Sequence, residues 1–417
     1  MGGYQRQQVN IILDRLEERP ERIIVVSGPR QTGKTTLIRQ ALGQTSLESV
    51  YLSVDDTEPE EPEIPHEHAD RRIRQSDIRD NKWLILEWEK ARRSAGRSER
   101  GFVLVLDEIQ KIPQWSETVK GLWDADRATG VNMHVVILGS APLRMQQGLT
   151  ESLAGRFELI RVRHWSFMEM VDAFNFDLDR YVYFGGYPGG ARLIHDEPRW
   201  RDYVRASLVE PVFDQDILAL TRIEKPALMK NLFELGCAYS GQILSYNKML
   251  GSLHDAGNTT TLAHYLILLT NAGLITGLEK HAAQPVRRRA SSPKLNVLNT
   301  ALASVHSGYS FREALADRTF WGRMIESAVG AHLYNTGMPD IKLHYWRKSP
   351  HEVDFVLVKG RRLIGIEVKS SLIHGSHGGL SAFEKEFSPE KTLLVGGSGI
   401  PLAEFLVQPA NHWFETG

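Results

Sequence analysis

The chain has a single cysteine, Cys237, in 417 residues. That excludes an internal disulfide framework and any zinc cluster built on cysteine thiolates. It has no apolar run long enough to cross a bilayer, and its N-terminus lacks the apolar core of a secretory signal. It also has almost no net charge: 50 lysines and arginines against 51 aspartates and glutamates leave −1. A globally basic polymer binder is thereby excluded, and any nucleic-acid face has to be a local basic patch. Together these deficits set the expectation of a soluble chain in a reducing cytoplasm with no membrane partner. At this length one ordinary core does not suffice, and about two to four domains are expected.

What is present is sharper. Gly28-Pro29-Arg30-Gln31-Thr32-Gly33-Lys34-Thr35 has the spacing G-x-x-x-x-G-K-T, the signature of a loop that grips phosphates. An apolar β-branched run, Arg22 to Ser27, precedes it and reads as a buried parallel strand. Thr36 to Leu42 follows with helical character. The glycines let the backbone curl so that its N–H groups point inward at the phosphates. Lys34 brings a point charge, Thr35 offers a hydroxyl to Mg²⁺, and Thr36 at the helix N-terminus joins the nucleotide contacts. A nucleoside triphosphate is the implied ligand. The second half of such a site is Gly101 to Glu108, an apolar strand ending in Asp107-Glu108. Asp107 is placed to hold Mg²⁺, and Glu108 to orient and deprotonate the attacking water. Val135 to Ser140 is another buried strand; Ser140 either senses the γ-phosphate or simply caps the next helix.

Residues 1–175 alternate strand and helix patterns, as a parallel sheet covered on both faces requires. An amphipathic helix opens the chain, with Val9, Ile12, Leu13 and Leu16 on one face. Val50 to Val54 is a second strand, and Asp55 to Asp80 a charged surface insertion whose His66-Glu67-His68 is expected to be solvated. Phe184 to Gly190 reads as a glycine–proline hinge, followed by apolar helical segments including Tyr203 to Leu220. From 226 to 300 the pattern is a winged helix: helices over Leu228–Tyr239, Ser245–Leu253 and Thr259–Ala272, then a hairpin from Leu274 to Leu298. Arg287-Arg288-Arg289 falls at the wing tip, where a basic loop suits phosphate contacts and equally suits plain solvation.

Leu106 to Trp115, Leu138 to Ala141 and Leu153-Ala154-Gly155-Arg156, following the phosphate loop in that order, resemble a prokaryotic AAA-type ATPase family. Its members carry a C-terminal domain long catalogued as of unknown function. There the Leu-Ala-Gly-Arg segment precedes a strand and a Ser-Phe-x-Glu segment, here Ser166 to Glu169. The resemblance implies ATP with Mg²⁺, a small helical lid over residues 176–225 that moves with nucleotide state, and Arg156 as an arginine finger. A finger acting from a neighbouring subunit implies a homo-oligomer. The chain departs from the family at His164-Trp165, where Pro-Leu is common.

Near the C-terminus, Glu352 to Val358 and Leu363 to Lys369 read as two strands around a turn at Lys359-Gly360. Alternation puts Glu367 and Lys369 on one face, and Asp354 on the adjacent strand. Glu326 sits at the edge of an apolar helical stripe of Ile325, Ala328, Val329 and Leu333. This pattern resembles the PD-(D/E)XK nucleases. Carried over, Glu326, Asp354 and Glu367 become metal ligands and Lys369 the group that orients the nucleophilic water.

The expected architecture is α/β: an AAA-type P-loop ATPase core on a parallel sheet (1–175), a helical lid (176–225), a winged-helix module (226–300) and an α/β restriction-endonuclease-like domain (301–417). The expected function is ATP hydrolysis with Mg²⁺ coupled to engagement or cleavage of nucleic acid, DNA ahead of RNA. A nucleotide-gated scaffold with a silent C-terminal domain is the alternative.

Overall fold

The computed structural model describes residues 3–55, 79–139, 145, 148–149, 152–217, 223, 225–253, 257–282, 291–370 and 378–415. Two compact units divide the chain, Gln5–Val162 and Met1–Tyr4 with Arg163–Gly417. The first unit therefore ends at Val162, ahead of the expected boundary at 175.

The first unit is built on five strands, β1 (Ile23–Ser27), β2 (Glu48–Ser53), β3 (Phe102–Asp107), β4 (Met133–Gly139) and β5 (Phe157–Arg161). Their order is β2-β3-β4-β1-β5, and every pairing is parallel. Both faces are covered, which is why the central strands are apolar without interruption. Ile24 and Val26 pack with Val9, Ile12, Leu37 and Ile38, from helices Gln8–Glu17 and Lys34–Leu42. Ile23 and Val25 point the other way, into a core with Leu84, Trp88 and Trp123 from helices Asn81–Ala95 and Trp115–Thr129. One charge is sealed in that layer: Asp126 is buried, and it accepts from Trp88 Nε1 at 2.7 Å and Arg92 Nε at 2.5 Å. Buried carboxylates survive only when paired in this way.

The second unit begins with the helix Phe167–Phe174. The Ser-Phe-x-Glu segment has a plain physical role here, a capping box in which Ser166 Oγ accepts from Glu169 N while Glu169 accepts from Ser166 N. Gly185 and Gly186, expected to form a hinge, are sites of close packing. A Cβ on Gly185 would lie 2.0 Å from Asn299 Oδ1, and one on Gly186 would lie 2.1 Å from Trp165 O. Glycine is needed there to let other groups approach, and at Gly185 also for its φ of +69. Beyond helix Glu197–Tyr203 the backbone runs in two π-helical turns, Val204–Val209 and Val212–Ile217.

Helices Pro226–Ala238, Tyr246–Ser252 and Thr259–Asn271 follow, the last two capped by Ser245 and Asn258 side chains. With them goes a small antiparallel sheet of β6 (Gln242–Ile243), β7 (Ile275–Leu278) and β8 (Lys294–Val297), with β8 in the centre. A second sheet contains β9 (Ile341–Lys348), β10 (His351–Lys359), β11 (Arg362–Lys369) and β12 (Lys391–Gly396), in the order β12-β11-β10-β9. β9 to β11 are antiparallel neighbours and β12 lies parallel to β11. Helix Arg318–Thr336 covers one face, with Gly330 against Phe355, and helix Gly378–Phe387 the other, with Phe383 against Gly365.

Candidate functional site

The C-terminal end of β1 turns directly into the phosphate loop. Gly28 cannot carry a side chain, since a Cβ would lie 1.9 Å from Val162 O. Gly33 has open space around it but sits at φ +87 as the N-cap of helix Lys34–Leu42, a left-handed conformation that favours glycine. Pro29, Arg30, Gln31 and Thr32 make the curl between them. The buried Thr32 hydroxyl closes it by donating to Pro29 O at 3.0 Å, and Arg6 donates to Thr32 O at 3.1 Å. Lys34 folds back over its own loop, with Nζ 3.0 Å from Gly28 O and 2.8 Å from Pro29 O. Thr35 and Thr36 lie exposed on the first helical turn.

The carboxylates arrive from β3, two strands away from β1 in the sheet order. Thr35 Oγ1 lies 3.3 Å from Asp107 Oδ2, joining the two halves of the site. The same oxygen accepts a short hydrogen bond from the Tyr51 hydroxyl on β2. Burial raises the Asp107 pKa and Glu108's charge adds to this, while the Tyr51 and Thr35 hydroxyls pull it down. Glu108 has φ 56 and its N–H donates to Leu138 O at 3.1 Å. Gln110 Nε2 donates to Glu108 Oε2 at 2.6 Å, fixing the carboxylate. A hydroxyl and a carboxylate side by side are hard oxygen donors suited to Mg²⁺.

Tyr51 and Gln110 are site residues that sequence reading missed. Tyr51 lies two positions before Ser53, which pairs with Asp107, so parallel register delivers it to the same site. A tyrosine inside a half-buried strand carries a hydroxyl that needs a partner, and that was the available signal. Ser140, His66-Glu67-His68 and Arg287-Arg288-Arg289 lie outside the described residues.

Arg156 is elsewhere. Its carbonyl accepts from Ile23 N at 2.8 Å, at the N-terminal edge of the sheet, whereas the phosphate loop leaves the C-terminal end of β1. Its guanidinium grips Asp124 in fork fashion, Nε–Oδ1 2.7 Å and Nη2–Oδ2 2.9 Å, in a part-exposed pair. The hydrogen bond to Asp124 raises the arginine pKa, and the same bond lowers that of Asp124.

In the C-terminal sheet, Phe355 pairs with Ile366, and Asp354 and Glu367 are each the next residue beyond that pair. Asp354 Oδ2 accepts from Val368 N at 2.8 Å, and Lys369 Nζ lies 2.6 Å from Glu367 Oε1. Beside Glu326 and Asp354, expected with Glu367 to be metal ligands, stands Lys294. This buried lysine, which no sequence pattern marks, puts Nζ 2.5 Å from Glu326 Oε1 and 3.2 Å from Asp354 Oδ1. Among the described residues no three acidic, histidine or cysteine side chains converge to hold a metal. Burial followed by Asp354's charge pushes the Glu326 pKa up to about 7, against the pull of Lys294.

Comparison with known proteins places this geometry. Residues 20–171 match the family described as an AAA domain. Residues 175–313 and 321–403 match two domains of unknown function, DUF8612 and DUF4143. An uncharacterized protein of Mycobacterium tuberculosis and one of Mycobacterium bovis are each 27% identical over 401 residues, 95% of this chain and 81% of theirs. Among solved structures, the Walker-type ATPase of Pyrococcus abyssi is 14% identical with a TM-score of 0.48, covering 73% of this chain and 96% of that one. AMPPCP-bound DnaA from Aquifex aeolicus is 14% identical with a TM-score of 0.31, over 65% and 89%. The family match and the five-stranded parallel sheet make the N-terminal part an AAA-type P-loop ATPase domain. Among the described residues no helix is long and apolar enough to cross a membrane.

Proposed function

We propose that the protein hydrolyses ATP at the loop Gly28–Thr36 and uses the nucleotide state to govern engagement of nucleic acid by its C-terminal half. The observation that carries the first part is the convergence of Thr35, Asp107 and a tethered Glu108 beside the loop. The loop N–H groups and Lys34 bind the phosphates, and Lys34 exchanges the Gly28 and Pro29 carbonyls for phosphate oxygens. Mg²⁺, when bound with ATP, supplies charge neutralisation on the phosphates. Thr35 and Asp107 are the residues that would hold it, and Tyr51 keeps the Asp107 carboxylate turned toward Thr35. Glu108 accepts the proton of the attacking water, with Gln110 setting its direction.

Arg156 lies at the opposite end of the sheet from its own loop, which supports reading it as a finger for the site of a neighbouring subunit in a homo-oligomer. The polymer reading rests on the Arg287-Arg288-Arg289 run in the sequence between β7 and β8. The order helix, strand, two helices and two strands from Pro226 to Val297 supports a winged-helix reading of that part.

The test is Mg²⁺-dependent phosphate release by the full chain, with and without duplex DNA, single-stranded DNA and RNA. Glu108→Gln should lower turnover about a hundredfold or more while nucleotide still binds, and Lys34→Ala should lose binding. Unchanged turnover in Glu108→Gln would refute the assignment. Turnover indifferent to every polymer would remove the second part alone.

A further inference from the structure

The acidic cluster of the C-terminal sheet is not used by the ATPase chemistry, and it holds a lysine in its midst. Lys294 opens β8 with its side chain fully buried. Its Nζ lies within ion-pair distance of three carboxylates, Glu326 at 2.5 Å, Asp354 at 3.2 Å and Glu352 at 3.7 Å. The same nitrogen donates to the Asp354 carbonyl at 3.2 Å and lies 5.0 Å from the centroid of the Phe355 ring. Two of its donors go to the Asp354 carboxylate and carbonyl, and Glu326 stands against it as an ion pair.

Neither the lysine nor its partners are loosely held. Lys294 sits on the central strand of its sheet, paired with Ile243 on one side and Leu278 on the other, so its backbone cannot swing aside without breaking both ladders. Asp354 has both oxygens engaged, Oδ1 by Lys294 and Oδ2 by the Val368 N–H. Glu367 is paired with Lys369 through Oε1, while its buried Oε2, like Glu326 Oε1, finds no hydrogen-bond donor among the described residues.

We infer that Lys294 is the resident cation of this cluster, standing where a divalent ion would have to bridge Glu326 and Asp354. The domain consequently takes no divalent metal there and has no metal-activated water with which to cut a phosphodiester. A divalent ion and a pinned ammonium cannot share that point, because like charges at contact distance in a buried site repel strongly.

The test titrates Mn²⁺, as the probe, into the full chain without nucleotide, read by the electron spin resonance of free Mn²⁺ and by tryptophan-fluorescence melting. Wild type and Asp354→Asn should bind Mn²⁺ indistinguishably. Lys294→Met should gain a site about tenfold or more tighter than anything in wild type, and Lys294→Met with Glu326→Gln should lose it. Lys294→Gln, which keeps hydrogen-bond donors, guards against misfolding of the methionine variant, and refolding of either only with Mn²⁺ counts as the gain. Mn²⁺ binding by wild type that both Asp354→Asn and Glu367→Gln abolish would overturn the inference. So would folded Lys294 variants that acquire no Mn²⁺ site. The wild-type arm decides alone if neither Lys294 variant folds.

Discussion

Alanine in place of each loop glycine should damage the ATPase unit for two different reasons, and by different amounts. At Gly28 the added Cβ would sit 1.9 Å from Val162 O and 2.9 Å from Val162 C. Ordinary contact needs roughly 3.5 Å, so about 1.5 Å of separation must be found. The obstacle is backbone, and Val162 N donates to Ser27 O at 2.9 Å, so the loop can lift only by straining the β1–β5 edge. Overpacking of about 1–3 kcal/mol and a weakened backbone hydrogen bond of about 1 kcal/mol make a cost of about 2–4 kcal/mol. At Gly33 nothing lies within 4 Å, and the cost is the left-handed backbone at φ +87, about 1–2 kcal/mol. Gly28→Ala should therefore melt clearly below Gly33→Ala. Trp88, Trp115 and Trp123 lie in this unit's core and report its melting. Nucleotide affinity should fall in Gly28→Ala as well, because the displaced carbonyl is one that Lys34 holds. Wild-type melting and wild-type nucleotide binding in Gly28→Ala, or the reverse ranking of the two variants, would refute the reasoning.

Two further outcomes are expected. Arg156→Ala should lower turnover about a thousandfold with nucleotide affinity unchanged, and mixing it with Lys34→Ala chains should restore part of the activity, since an intact finger then meets an intact loop. Full turnover in Arg156→Ala alone would exclude the finger role. Burial pushes the pKa of His134 and His332 down to about 4, with Arg127 adding to the effect at His134 and the Gln408 carbonyl opposing it at His332. Protonation then favours the unfolded chain, whose histidines titrate near 6.5. Stability is full above about pH 6.5 and is lost as pH falls toward 4, by up to about 3 kcal/mol per histidine. Melting temperature should drop across that window, and less steeply in His332→Gln; a flat profile from pH 7 to 4.5 would contradict the assignment.

The legible parts of the site were those written in consecutive residues. The spacing of Gly28, Gly33, Lys34 and Thr35 is read in one glance because one backbone curl contains all of them. Asp107 and Glu108 were legible because an apolar strand ends on them. Tyr51 was not, because its relation to Asp107 is one of strand register between segments about fifty residues apart in sequence. The crowding at Gly185-Gly186 was not legible for a related reason: sequence shows that a glycine is present, and only packing shows what presses against it.

Residue order along the chain was enough to determine a phosphate-gripping loop, its carboxylates and the alternation of strands and helices. Each depends on short-range spacing and on the polarity of neighbouring residues. Tertiary structure decided where Arg156 faces and what neutralises Glu326 and Asp354. Both are charges whose partners come from distant segments, Asp124 in one case and Lys294 in the other. Coulombic pairing acts through space, and no local pattern encodes which distant charge the fold will bring within 3 Å or so.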